Sequence, residues 1–303
     1  MECQVCEKTA VISTSNGTFC SEHFKDNFER TTLDTIKKYN LIREGEVIGV
    51  ANSGGKDSLS LLYIISKHFS KTNRIISITI DEGIKGYRDK TIETMKKYCS
   101  EWGVEYKIYS YKDFAGLGMD SIVKVQKGIP CAACGVLRRH LLNAGALESG
   151  VNKLCTAHNM DDEAESVLMN VFQNDFEKLV RSGPVSGISS NDGFIPRVKP
   201  FIFISEKETM LFSILNGIEA LHTACPYSGF GFRGIMARRV KQLETKIPGS
   251  KKRLVKAAIR IRVLGSGSTA GRLVKCLMCG SPTPEDVCEA CRIKERLSGV
   301  IET

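Results

Sequence analysis

Short, continuous apolar runs punctuate the first two thirds of the chain, and each is followed by a longer stretch in which apolar residues recur every three to four positions. VIGVAN (47–52), IISITID (75–81), YKIYSY (106–111) and KLCTAHN (153–159) read as strands, the first of them a buried one. SLSLLYIISKHF (58–69), TIETMKKYCSEWG (91–103), GVLRRHLLNAGALESG (135–150) and DDEAESVLMNVFQNDFEKLVR (161–181) read as helices, and another helix is expected over 22–39. Strands alternating with helices at this pitch predict an α/β fold, a doubly wound and mostly parallel sheet with right-handed crossovers. After residue 183 the pattern loosens. IPRVKPFIFI (195–204) reads as a strand, SEKETMLFSILNGI (205–218) as a helix, 230–270 as basic and helical, and GSGSTAG (265–271) as a linker. The expected division is a knuckle over 1–24, an adenylation-type α/β domain over 25–230, a basic helical region with linker over 231–271, and a second knuckle over 272–303.

Composition narrows the class. Of 303 residues, 42% are hydrophobic and 25% charged, the mixture of a globular chain rather than a disordered tail, a fibre or a coiled-coil rod. No run approaches the ~18 consecutive apolar residues of a membrane span, and MECQVCEKTA lacks the basic and apolar regions of a signal peptide. A cytoplasmic protein with no membrane partner is expected. The net charge is +9, and residues 245–275 hold nine basic side chains and no acidic one: Lys246, Lys251, Lys252, Arg253, Lys256, Arg260, Arg262, Arg272 and Lys275. Charge clustered in this way favours contact with nucleic acid, because neutralised phosphates release their counterions.

Ten of the twelve cysteines fall into three sets, leaving Cys99 and Cys155 as buried small hydrophobes. Under reducing conditions CxxC pairs favour metal over disulfide. Cys276, Cys279, Cys288 and Cys291 supply four thiolates, and Cys3, Cys6, Cys20 and His23 three thiolates and an imidazole; both suit closed, structural Zn²⁺ sites, with rubredoxin-like iron the competitor. The third set differs. Cys131 and Cys134, placed just before a helix, have only the distant Cys225 to join them. Three thiolates without a fourth ligand would leave one iron of a [4Fe-4S] cluster open. A persulfide relay, a third structural Zn²⁺ and unlinked core thiols stay open beside that reading.

The strongest catalytic signal lies between the first strand and its helix. Ser53-Gly54-Gly55-Lys56-Asp57-Ser58, entered through Ala51 and Asn52, combines glycines that let backbone approach phosphate, a helix N-terminus, two hydroxyls and a cation. It is not a Walker A loop. SGGKDS resembles the PP-loop of enzymes that cleave ATP between the α- and β-phosphates and adenylate an oxygen. Asp161, in TAHNMDDE at another strand end, offers a carboxylate for Mg²⁺ on ATP, with helix capping as its ordinary alternative. Asp81 is expected in the same crevice, with Ile80 and Ala157 lining an adenine pocket and His158 structural.

The order of the N-terminal CxxC…CxxH, SGGKDS, CAACGVLRRHLLN, TAHNMDDEAES, CPYSG and the C-terminal CxxC…CxxC resembles the tRNA 2-thiouridine synthetases of the TtuA/NcsA family over nearly the whole chain. The resemblance implies adenylation of a uridine C2 oxygen and its replacement by sulfur. It also implies a [4Fe-4S] cluster on Cys131, Cys134 and Cys225, and ATP contacts that include Arg138. Its implied partners are tRNA and a sulfur donor, either free sulfide or a carrier protein, with a homodimer as the assembly. No motif fixes the uridine. Twelve cysteines, eight methionines and 25% charge are not a thermophile's composition, which favours position 34 over position 54. A tRNA cytidine thiolase and a non-enzymatic zinc-knuckle RNA-binding protein are the alternatives.

Overall fold

The computed structural model describes residues 1–125, 130–186, 193–221, 223–228, 231–265 and 273–301. The expected linker (265–271) lies, apart from Gly265, outside them. A small hairpin, β1 (Ile12–Thr14) with β2 (Gly17–Phe19), opens the chain and runs into α1 (Ser21–Lys38). Phe24, Phe28, Thr32 and Ile36, spaced by one turn, are buried on one face of α1. The same helix therefore carries His23 of the first cysteine set and the aromatic anchors of the core.

The sheet follows: β3 (Val47–Ala51), α2 (Lys56–Phe69), β4 (Arg74–Asp81), α3 (Arg88–Glu101) and β5 (Glu105–Ser110). Next come the short helices α4 (Tyr111–Ala115) and α5 (Met119–Val125), α6 (Pro130–Glu148) and β6 (Lys153–Cys155). Then come α7 (Met160–Phe172), α8 (Phe176–Val180), β7 (Val185–Ser186), β8 (Arg197–Val198) and α9 (Glu206–Leu215). The order across the sheet is β5-β4-β3-β6-β8-β7, parallel throughout except for the edge strand β7. From β3 the chain adds β4 and β5 on one side and then crosses to β6 on the other, so the strand order switches at the β3–β6 pair and a crevice opens beyond the C-terminal ends of those two strands. The doubly wound, mostly parallel sheet expected from the pattern is present.

Three elements differ from their expectation, and the simplest is KLCTAHN, of which only Lys153–Cys155 is strand. The long helix over 161–181 is broken: α7 stops at Phe172, Asn174 adopts φ 53°, and Asp175 caps α8 by accepting from Lys178 N (3.0 Å). Asparagine tolerates the left-handed conformation and aspartate favours the cap, so NDF is a break signal inside an apolar pattern. Of IPRVKPFIFI only Arg197 and Val198 are strand. Phe201, Ile202 and Ile204 are fully buried without being strand; Phe28 stacks on Phe212 (centroids 4.1 Å) and meets Phe201 edge-on (5.3 Å).

The basic region is the helical pair α10 (Phe232–Lys246) and α11 (Ser250–Leu264), packed against α7. The chain closes with the pair β9 (Val274–Lys275) and β10 (Pro282–Thr283) and with α12 (Glu289–Ile301), which packs against α4 and α6. Cys99 and Cys155 are fully buried, as expected of core residues. Among the described residues no helix is long and apolar enough to cross a membrane.

Candidate active site

The loop after β3 is shaped by contacts that dictate its sequence. Gly54 has φ +75°, and a Cβ there would lie 2.0 Å from the carbonyl oxygen of Thr91, so both conformation and space require glycine. Buried Asn52 accepts through Oδ1 from Gly54 N (2.9 Å) and Ser58 Oγ (3.0 Å), while Ser58 Oγ accepts from Ser53 N (3.1 Å). No side chain caps α2 at Gly55, which leaves its first N–H groups and the positive end of its dipole for an anion. Lys56 Nζ pairs with Asp57 (2.8 Å) and Glu206 (3.3 Å). Burial opposes its charge, but these carboxylates outweigh it and raise its pKa.

A cavity of about 350 Å³ opens beside this loop. Of the residues singled out from sequence, Ala51, Asn52, Ser53, Asp57, Ser58, Ile80, Ala157, Arg138 and Cys225 line it. Gly54, Gly55 and Lys56, at the turn into α2, are not part of that wall. Asp81 does not face the cavity: it turns back to accept from Gly83 N (2.9 Å). Side chains alternate along a strand, so Ile78, Ile80 and the following Glu82 share the cavity side. Asp161 also lies off the wall. Asn159 and Asp162 form the capping box of α7, and Asp161 instead pairs with Lys251 and accepts from Glu206 N (3.0 Å) in a neighbouring groove. Capping is thus real, but it falls to Asn159 and Asp162. Burial first and like charges next raise the pKa of Asp162 and take Glu165 up to about 7, so acids crowd this end of the site. His158 stands in the cavity wall beside Thr156 (3.0 Å) with its ring exposed to the cavity; the protein packed around it, then Lys199, lower its pKa to about 4, a shift that water in the cavity reduces.

Cys131 and Cys134 occupy the first turn of α6 rather than preceding it. Arg138, one turn on, donates through Nη2 to Cys134 Sγ (3.3 Å). Its Nε pairs with Glu82 Oε1 (2.9 Å), and buried Arg88 pairs with Glu82 Oε2 (2.7 Å) while donating from Nη1 to Ser53 O. A continuous polar chain therefore joins the phosphate loop to a candidate sulfur-bearing thiol: Ser53, Arg88, Glu82, Arg138, Cys134. Tyr111 donates to Cys134 O (2.7 Å) with its oxygen 3.2 Å from Sγ, and burial, then Cys134, raises its pKa. Cys131 Sγ donates to Tyr227 O (3.3 Å), and Cys225 shares the cavity wall. Sequence reasoning missed Glu82, Arg88 and Tyr111. The strand phase through Ile80 pointed to Glu82, whereas nothing local marks Arg88 or Tyr111.

The terminal cysteine sets converge. In each, all four ligand atoms lie within 4.8 Å of one another: Cys3, Cys6, Cys20 and His23, and Cys276, Cys279, Cys288 and Cys291. Cys6 and Cys20 sulfurs are 3.8 Å apart and those of Cys279 and Cys288 3.7 Å. A tetrahedral ion with ~2.3 Å bonds to sulfur sets its thiolates ~3.8 Å apart, so the donor sets fit one closed ion each. Among the described residues, Cys131, Cys134 and Cys225 do not form such a set.

Residues 24–205 match the PP-loop domain family. The cytoplasmic tRNA 2-thiolation protein 1 of Danio rerio is 34% identical over 314 residues, covering 98% of this chain and 89% of that protein. The tRNA 2-thiolation protein NcsA of Haloferax volcanii is 33% identical over 323 residues, covering 99% and 100%. The chain belongs to the tRNA 2-thiolation family. Among solved structures, the U34-tRNA thiolase NcsA from Methanococcus maripaludis with its [4Fe-4S] cluster matches this thiolation-family chain with a TM-score of 0.84 at 31% identity, over 98% of this chain and 96% of that one.

Proposed function

We propose that this enzyme is an ATP-dependent tRNA 2-thiouridine synthetase acting at the wobble uridine, position 34. The observation that carries the reading is the polar chain that joins an ATP-type phosphate loop to Cys134 across one cavity. A uridine C2 oxygen attacks the α-phosphorus of ATP, pyrophosphate leaves, and sulfur then attacks C2 and expels AMP with the former C2 oxygen. Hydrosulfide, ATP and uridine thus become 2-thiouridine, AMP and pyrophosphate. The open N–H groups of α2, Ser53, Ser58 and Lys56 take the phosphates, and Asp57, in the cavity wall, would offer a carboxylate to Mg²⁺ on them, whereas Asp161 is held by Lys251 in the neighbouring groove. Ile80 and Ala157 flank the base. Arg138 faces both the cavity and Cys134, so its charge serves the phosphate and the thiol together.

Cys131, Cys134 and Cys225 fit a [4Fe-4S] cluster better than a single ion. One ion would draw all three sulfurs together, whereas a cluster spreads its thiolates over three irons and leaves the fourth open. When bound, such a cluster supplies a metal site that holds sulfide deprotonated. The related thiolase solved with its cluster supports the assignment. The terminal sets hold structural Zn²⁺, and tRNA lies over the basic face of α10 and α11. Relatives named as cytoplasmic support that location. Position 34 is supported by the same thiolase and by the non-thermophilic composition.

The test uses protein purified without oxygen and given ATP, Mg²⁺, sulfide and a tRNA carrying uridines at 34 and 54, with fragments mapped by mass spectrometry. Thiouridine in the anticodon fragment, lost in Cys225→Ala, is the expected result. Label in the T-loop fragment would move the position to 54. Absence of both ATP cleavage and thiolation would overturn the enzyme in favour of an RNA-binding protein. ATP cleavage without thiolation under sulfide would assign sulfur delivery to a carrier protein.

A further inference from the structure

Beside the turn of the N-terminal hairpin, α1 and α11 enclose a cavity of about 380 Å³ that the reaction above does not use. Its wall includes Asn27, 2% exposed, whose Nδ2 has no hydrogen-bond partner. Arg30 Nη2 donates to Asn27 Oδ1 (3.3 Å), which fixes the amide with its donor side unused. A buried donor left without an acceptor is unfavourable, and native proteins keep few of them.

Four cations surround the same space: Arg30, Lys38, Lys252 and Lys256, against the single carboxylate of Asp34. Among the described residues none of the four pairs with a carboxylate. Arg30 reaches Asn27, Lys38 lies over the Tyr39 ring at 5.3 Å, and Lys252 reaches only Ser15 Oγ (3.2 Å) and Asn16 Oδ1 (3.3 Å). Lys252 and Lys256 also line the adjoining groove of about 970 Å³, which continues past Lys241 and Lys207 to Asp161 and Glu206. Glu206 pairs with Lys56 of the phosphate loop. The acids of that groove are engaged: Asp161 with Lys251, Glu244 with the backbone N–H groups of Gly249 and Lys251. Its free lysines are not.

We propose that this cavity is a phosphate seat for the RNA substrate, in which Asn27 Nδ2 and the four cations hold one backbone phosphodiester while the strand runs along α11 toward the ATP loop. A phosphodiester is anionic and accepts hydrogen bonds without donating, which matches a buried amide donor among unpaired cations. Continuity with the groove that ends at Glu206, the partner of Lys56, selects RNA over a free anion. The inference rests on the tRNA reading above and adds α1, an element outside the basic region, to the RNA-binding surface.

The test measures tRNA affinity of the full chain at several salt concentrations for Arg30→Gln, Lys252→Gln and Lys256→Gln, with exposed Lys96→Gln on α3 as control. Each seat variant is expected to bind about three- to ten-fold more weakly, with the slope of log K against log salt flattened by ~0.7–0.9 per lost contact. ATP cleavage without RNA stays unchanged. Asn27→Leu removes the unpaired donor, so it is expected to keep or raise the thermal midpoint while weakening tRNA binding, a combination that a purely structural asparagine would not give. Wild type that binds tRNA, with seat variants indistinguishable from Lys96→Gln, overturns the seat and leaves the thiolation reading standing. Stabilisation by inorganic phosphate that the variants abolish, with unchanged tRNA affinity, makes it a free-phosphate site and also overturns the proposal. A wild type that binds no tRNA overturns both readings at once.

Discussion

Gly54 shows how much one residue's freedom decides. Alanine there faces a left-handed conformation that costs about 1–2 kcal/mol and a Cβ that meets the backbone of α3. Gly54→Ala is expected to weaken ATP binding at least ten-fold while the far-ultraviolet circular dichroism of the sheet persists; unchanged ATP affinity would show that the loop adapts. His158 makes a second prediction through pH. Its folded pKa of about 4 lies below the ordinary value of 6.5, so the unfolded chain binds the proton first as pH falls. Its neutral form therefore favours the fold above pH ~6.5, and that advantage declines as pH drops toward 4. Because the ring is open to the cavity and water there screens part of the shift, denaturant unfolding of wild type and His158→Asn at pH 7.5 and 5 is expected to show the wild type losing only slightly more stability; parallel losses would remove His158 as the cause. That Asp57, Ser58 and Cys225 would share one cavity was legible because their residue types and motifs announce a site. Glu82 was hidden by its neighbour: IISITID ends on Asp81, and only the two-residue phase through Ile80 shows that the next carboxylate faces the cavity.

At the scale of elements, the legible parts were those whose period matches their burial. β3, β4 and α2 are such segments, and α1 falls within a residue of its expected start. Where local chemistry interrupts a period, the pattern misleads. Asn174 and Asp175 stop a helix whose apolar spacing continues, and Phe201 and Ile204 are apolar because they plug the core beneath α1 and α9, and Ile202 because it packs with Met160 and Val255, not because they pair in the sheet. The first metal set is joined to that plug, since His23 immediately precedes the buried Phe24 on α1. Chelation of metal from this set is expected to lower the calorimetric midpoint by at least ~5 °C, since binding energy at such a site is folding energy. An unchanged midpoint would mean that the hairpin holds without metal.

For the molecule as a whole, alternation of strand and helix was enough to foresee the sheet, and the switch between β3 and β6 placed the crevice. Contacts between distant segments were not foreseeable. Arg88 reaches Ser53, Arg138 reaches Glu82, and Lys251 reaches Asp161 only because the fold brings them together, and no local pattern encodes those meetings. The unbroken passage of α1 from the cysteine hairpin into the aromatic core also bears on life in a cell. On the proposal that Cys3, Cys6, Cys20 and His23 hold a structural ion, a chain that folds without it is expected to leave the first turn of that helix less anchored, and Phe24 and Phe28, both fully buried when folded, more often open to chaperones and proteases. Scarcity of that metal would then show up as fewer molecules, before it shows up as slower ones.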